Sequence, residues 1–109
     1  MADTNSPARA LLAAAAEAAE VERKPSRFGP PGSPALFVEG REVLHLHGED
    51  EIDLRLTRRE IRRCRQDLRA DARFVIRRAG GDWVEVTVSE SEIAELLPWV
   101  RRAIEANRA

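Results

Sequence analysis

Residues 42–56 read EVLHLHGEDEIDLRL. Apolar and polar side chains alternate with period two in LHLH (44–47) and again in IDLRL (52–56), the pattern of strands with one buried face. Successive residues of a strand point to opposite faces, so Leu44 and Leu46 belong with Leu54 and Leu56, while His45 and His47 leave the other side. The simplest register of that parity pairs Leu46 with Leu54, His47 with Asp53 and His45 with Arg55, with Glu49-Asp50-Glu51 as the loop. Antiparallel neighbours need only short turns, so this segment predicts the middle of an antiparallel sheet.

Towards the N-terminus, ALFVE (35–39) reads as a strand turning at Gly40-Arg41, and Val21 to Lys24 as a shorter one. The stretch Pro25 to Pro34 holds Gly29, Pro30-Pro31 and Gly32, and predicts a loop. Ser6-Pro7 reads as an N-cap with proline in the first turn. It opens an alanine-rich helix to about Glu20, whose shallow stripe (Leu11, Leu12, Ala15, Ala16, Ala19) is expected to bury little. Towards the C-terminus, Thr57 with Glu60 forms a capping box before a helix with Ile61, Cys64 and Leu68 on one face. Ala72–Arg78 and Trp83–Val88 predict a hairpin around Gly80-Gly81. Ser89 with Glu92 opens a last helix lined by Ile93, Leu96, Leu97, Val100 and Ile104. The fold class expected is α+β: an antiparallel sheet, meander plus hairpin, with helices packed on one face. Residues 1–5 are expected to be disordered and residues 6–109 to form one domain.

The 109 residues suffice for one core. With 43% hydrophobic and 34% charged residues and few aromatics, that core rests on Leu, Ile, Val and Ala. A single cysteine, Cys64, excludes an internal disulfide and a Cys-based zinc site within one chain. No stretch approaches the roughly 20 apolar residues a bilayer span needs, so no membrane partner is expected. The run Ala10–Ala19 lacks a basic leader and carries Glu17, unlike a signal peptide. Lys24 is the only lysine among 18 basic residues; with abundant alanine this composition suggests a GC-rich bacterial source, and the lone Cys64 fits a reducing, cytoplasmic location. A net charge of −1 gives the whole molecule no reason to seek nucleic acid.

From Arg27 to Val88 the chain carries RFG, a short strand, GREVLHLHGEDEIDLRL, a capped helix and GDWVEVTV. That series resembles the bacterial luciferase domain family, whose pattern is an RFG loop, a G-R-E-hydrophobic strand, an H-x-H, an L-R-L strand and a G-W-V strand. The resemblance implies a small α+β domain and no assigned catalytic residue. The order of elements is also similar, more distantly, to the MmcQ/YjbR group of small α+β proteins.

Three features carry candidate chemistry. His45 and His47, with Asp53 and Arg55 on the neighbouring strand, form a polar face. An imidazole beside a carboxylate can act as an acid–base pair or, as His45, His47 and Asp53, ligate a metal; ordinary cross-strand pairing is the preferred reading, and no cofactor is expected. The Pro-rich loop offers Arg27 and Phe28 as the rim of a ligand pocket, with Arg27 gripping an anion; a stiff surface connection tacked down by Phe28 is the preferred reading. Between Thr57 and Ala79 stand nine arginines. Arg58, Arg62, Arg65 and Arg69 share i, i+4, i+7, i+11 spacing and predict one helical stripe able to meet phosphates. The acidic 42–53 segment and the lack of interleaved aromatics make a solvated helix the preferred reading, and a nucleic-acid partner is not expected.

No phosphate loop, nucleophile elbow or readable Cys–His arrangement is present, and Cys64 lies on the apolar side of its helix. The leading expectation is therefore a small binding or interaction domain of unknown ligand. A metal-assisted or other enzyme using the His45/His47 face is the alternative from another class, and a phosphate-backbone binder through the arginine helix the third. Partner and oligomeric state are left open by the sequence.

Overall fold

The hairpin at residues 42–56 forms the centre of the sheet. The computed structural model describes residues 6–18 and 20–108, and the expectations for residues 1–5 and for Ala19 fall outside them. The elements are α1 (Pro7–Ala15), β1 (Glu22–Pro25), β2 (Pro34–Val38), β3 (Arg41–Leu46), β4 (Glu51–Arg55), α2 (Arg58–Arg63), α3 (Arg65–Arg69), β5 (Phe74–Val75), β6 (Trp83–Thr87) and α4 (Ile93–Ala106). Six strands make one antiparallel sheet in the order β1-β2-β3-β4-β6-β5. The fold is α+β, as the alternation implied.

Leu36, Leu44, Leu54 and Val84 stand in register across four strands, all at most 1% exposed. They meet Leu11 and Leu12 of α1 and Leu96, Val100 and Ile104 of α4 in one core. α1 is seated more deeply than its alanine content suggests: Ala8, Leu11 and Leu12 are fully buried. Small side chains let it approach closely, and the Ala8 N–H donates to the Glu49 carbonyl at 2.9 Å, tying the helix start to the β3–β4 turn. The Ser6 hydroxyl caps it by accepting the Arg9 N–H at 3.2 Å. No helix among the described residues is long and apolar enough to cross a membrane.

The central register differs by two residues from the simplest one. Leu44 faces Leu54, His45 faces Asp53 and Leu46 faces Ile52. The His47 N–H donates to the Glu51 carbonyl at 2.8 Å and closes the turn one step earlier. Facing parity is unchanged, because a shift of two keeps every side chain on its side of the sheet.

A bulge in β3 has a larger effect. Leu36 pairs with Leu44 and the next residue, Phe37, pairs with Glu42, so Val43 is the extra residue. Val43 joins Leu44 in the helix-side core. Glu42, which strict alternation would place there, moves to the histidine side.

The segment after Thr57 is two short helices. Cys64, with φ −103° and ψ 16°, breaks the expected single helix between α2 and α3. Half of the Thr57 capping box forms: its hydroxyl accepts the Glu60 N–H at 3.3 Å, but the Thr57 N–H goes to the Asp82 carbonyl. The strand expected over 72–78 is confined to Phe74–Val75, and residues 76–82 form a longer connection. Ser89 bonds the Glu92 carboxylate rather than a backbone N–H, over a single 3-10 turn that precedes α4.

Candidate functional site

The site lies on the sheet face away from the helices. In β3 the bulge brings Glu42 and His45 side by side, 3% and 5% exposed. Glu42 Oε2 accepts the Ser26 hydroxyl at 2.6 Å, and Oε1 accepts the Arg27 N–H at 2.6 Å. The same Oε2 stands 3.0 Å from His45 Nδ1, off the line of a hydrogen bond. His45 Nε2 meets Asp53 Oδ2 at 2.8 Å, and Asp53 Oδ1 meets His47 Nδ1 at 3.2 Å. A polar chain thus runs Ser26–Glu42–His45–Asp53–His47, from under the loop to the surface.

Asp53 anchors it. Burial pushes its carboxyl pKa up, but hydrogen bonds from His45 and His47 and their charges outweigh burial, and the group lies below its usual range. Ionised, it accepts from both imidazoles. His47, half-exposed, is held above its ordinary value by its hydrogen bond to Asp53 and by that carboxylate's charge, with smaller contributions from Glu51 and Glu85.

The Pro-rich loop folds over this chain. Its Ser26 hydroxyl also accepts the Gly29 N–H at 2.7 Å. Gly29 lies so close to the imidazole that a Cβ would sit 2.9 Å from Ser26 Oγ and 3.0 Å from His45 Cδ2, so only glycine fits without movement. Phe28 is carried out over the cleft, 69% exposed, edge-on to Trp83 at 5.7 Å. Trp83, opening β6, also leans on the His45 ring at 4.8 Å. Arg27 is turned elsewhere: its guanidinium lies over Phe37 at 5.6 Å, so its contribution here is the backbone N–H to Glu42.

Two hollows flank these groups. One, of about 490 Å³, lies between Phe28 and Trp83, His45 and Asp53, and the 77–82 connection. A smaller one, of about 220 Å³, lies between the loop at Phe28–Pro30 and His45, His47 and Asp53. Arg55 stands apart from this chemistry, bound by the Asn107 side chain and by Asp82 at 3.4 Å. Asn107, 1% exposed, returns Nδ2 bonds to the carbonyls of Arg55 and Ala103, so this cluster ties the end of α4 to β4.

Arg58, Arg62, Arg65 and Arg69 are all exposed, but the break at Cys64 divides them two and two between α2 and α3. Ile61, Cys64 and Leu68 nonetheless stay buried on one side across the break, as their spacing predicts. Cys64 is 7% exposed, with Arg102 Nη1 3.0 Å and Glu60 Oε1 3.5 Å from its sulfur.

The structure therefore joins His45, His47, Asp53 and Phe28 in one site. It adds Glu42, Ser26, Gly29, Trp83 and Glu85, which sequence reasoning did not assign to it. The RFG motif held a signal for Gly29, and the G-R-E motif one for Glu42, though not for the face it takes. Comparison with protein-family models, with curated proteins and with solved structures finds no match for this chain.

Proposed function

We propose that this chain is a small binding domain whose ligand occupies the cleft beneath Phe28 and Trp83, against the His45–Asp53 pair. The observation that carries the reading is the buried carboxylate–imidazole–carboxylate row ending at a concave wall. Taking such charges out of water costs several kcal/mol per ion, and well-packed apolar residues would often be as stable. A fold that keeps them beside an aromatic-lined hollow has the makeup of a ligand site: apolar walls with a few fixed polar groups. The ligand that fits presents a flat apolar part to the two rings and a polar edge to Asp53 and His45.

An enzymatic use of the same groups is the second reading, favoured by the Asp53–His47 contact. A surface imidazole paired to an ionised carboxylate is a working acid–base couple at neutral pH. Phosphate binding through Arg58, Arg62, Arg65 and Arg69 has less support because those arginines stand exposed with no aromatic side chain interleaved among them. Membership of the luciferase domain family belongs to this proposal too, as does a bacterial, cytoplasmic setting, which the free cysteine and arginine-dominated composition favour.

The test is an amide- and indole-detected NMR screen of polar aromatic fragments against the full chain in EDTA. Shifts clustered on Phe28, Gly29, the Trp83 indole and His45 are expected. Hits that gather instead around Cys64 and Arg102, or an absence of hits at Trp83, would overturn the proposal.

A further inference from the structure

Asp53 and Glu85 are direct cross-strand partners on β4 and β6. Like charges in that position repel and destabilise a sheet unless a cation lies between or beside them. Two cationic groups are at hand. Arg77 Nε lies 3.0 Å from Glu85 Oε2, on a side chain that is 72% exposed, and His47 Nδ1 lies 3.2 Å from Asp53 Oδ1. One nitrogen of His47 and one oxygen each of Asp53 and Glu85 all lie within 4.8 Å of one another. Metal–ligand bonds of about 2.0–2.2 Å place ligand atoms at most roughly 4.4 Å apart, so the three donors stand within a small side-chain adjustment of a closed set.

We propose that His47, Asp53 and Glu85 form a binding site for a divalent first-row transition ion, opening on the Phe28–Trp83 cleft. The inference deepens the binding reading and rests on that cleft. One imidazole nitrogen with two carboxylate oxygens is a borderline donor set, suited to ions from Mn²⁺ to Zn²⁺ rather than to thiolate-seeking metals. The set differs from the His45, His47 and Asp53 triad suggested by the sequence. His45 is committed to Oδ2 of Asp53, the oxygen not shared with His47, and is itself backed by Glu42, as outer-sphere partners orient a metal carboxylate elsewhere. Three protein ligands leave positions open, and the adjoining hollow of about 490 Å³, also lined by Asp53 and Glu85, lets a ligand donor reach them.

Tag-free full-length protein, stripped with EDTA and dialysed, is titrated with Co²⁺ and with Zn²⁺. Binding is followed by visible absorption for Co²⁺ and by calorimetry for Zn²⁺, with Mg²⁺ as control. The expected result is one site per chain, weakened at least tenfold by His47→Gln and by Glu85→Gln and not by Arg58→Ala. Arg77→Ala frees Glu85 and should tighten it. His47 is half-exposed and Glu85 mostly buried, so circular dichroism melts are run on both variants and only folded ones are scored. Stoichiometric binding unaffected by either variant, or no binding to wild-type protein at a millimolar ion concentration, overturns the metal site. Fragment binding at Trp83 in EDTA would still stand, so failure of the ion and failure of the cleft are read separately.

Discussion

Glu42 and His45 stand side by side on one face of β3, Oε2 3.0 Å from Nδ1, although they are three residues apart. In a regular strand that spacing puts them on opposite faces; the extra residue Val43 reverses it. The pair is the inner half of the polar chain, and removing one member leaves buried charges and donors without acceptors. Glu42→Ala strands the Ser26 hydroxyl and the Arg27 N–H as well. We expect it to lose about 3–5 kcal/mol in urea denaturation. Glu42→Gln, which keeps the shape and an accepting oxygen, should lose clearly less. Equal midpoints for wild type and Glu42→Ala would show that the chain adds nothing to stability.

Gly29 makes a second expectation. Its added Cβ would press on the Ser26 hydroxyl and the His45 ring, whereas a Cβ at Gly32 meets nothing within 4 Å and only the strain of φ +81°. Gly29→Ala should cost about 1–3 kcal/mol and move the His45 ring resonances. Gly32→Ala should cost about 1 kcal/mol and leave those resonances in place. His45 signals unchanged by Gly29→Ala would mean that the loop does not rest on the ring.

Stability should depend on pH through His47 and Asp53. The folded His47 pKa is raised above 6.5, so its contribution is fully present below 6.5 and is lost as pH rises through the raised value. Asp53 is lowered below 3.8, so its contribution is present above 3.8 and is lost as pH falls through the lowered value. Both act together between those ordinary values. In EDTA, the urea midpoint of the wild type should fall between pH 6 and pH 8.5 by more than that of His47→Gln. Because His47 is half in solvent the difference will be modest. Parallel curves for the two proteins would contradict the pairing.

The helix faces give a graded series. Ile61 is 5% exposed and Val100 1%, while Leu97 is only partly buried at the core's margin. Ile61→Ala should cost about 2–4 kcal/mol, and Val100→Ala about 2 kcal/mol for fewer carbons removed. Leu97→Ala should fall below the usual range for a buried leucine. Denaturant midpoints in the reverse order would mean that α4 presents a different face to the sheet.

Duplex DNA should bind weakly, without sequence preference, and only at low salt. The arginines at 58, 62, 65 and 69 are split between two short helices, and Gln66 is the one side-chain amide among them. Fluorescence anisotropy at several salt concentrations should show a steep log–log slope, reduced by about 0.9 for each phosphate contact removed by Arg→Ala. Tight binding to one sequence at high salt would refute this.

The two faces of the sheet were readable because period-two alternation is local and strict over Leu44–His47 and Ile52–Leu56. The register was not, because parity constrains it only to steps of two, and the turn after His47 makes the choice. Glu42 was harder to place: the Val43-Leu44 doublet interrupts the alternation, but only the pairing with β2 makes that interruption a bulge that turns Glu42 to the histidine side. Glu85 and Trp83 sat in a strand that was foreseen, yet their place in the site depends on β6 lying against β4, past β5 in the chain. The break at Cys64 carries no glycine or proline to announce it. The core positions of α4 were legible because a helical stripe is set by its own sequence.

The two margins of the sheet bear on how this protein meets copies of itself. One margin is β5, two residues long; the other is β1, whose four residues are Glu22, Arg23, Lys24 and Pro25. An incoming strand would find almost no length to copy on the first. On the second it would meet a row of charges and a proline without an N–H to share. Short length at one margin and charge with proline at the other thus work against elongation of the sheet by a neighbouring chain.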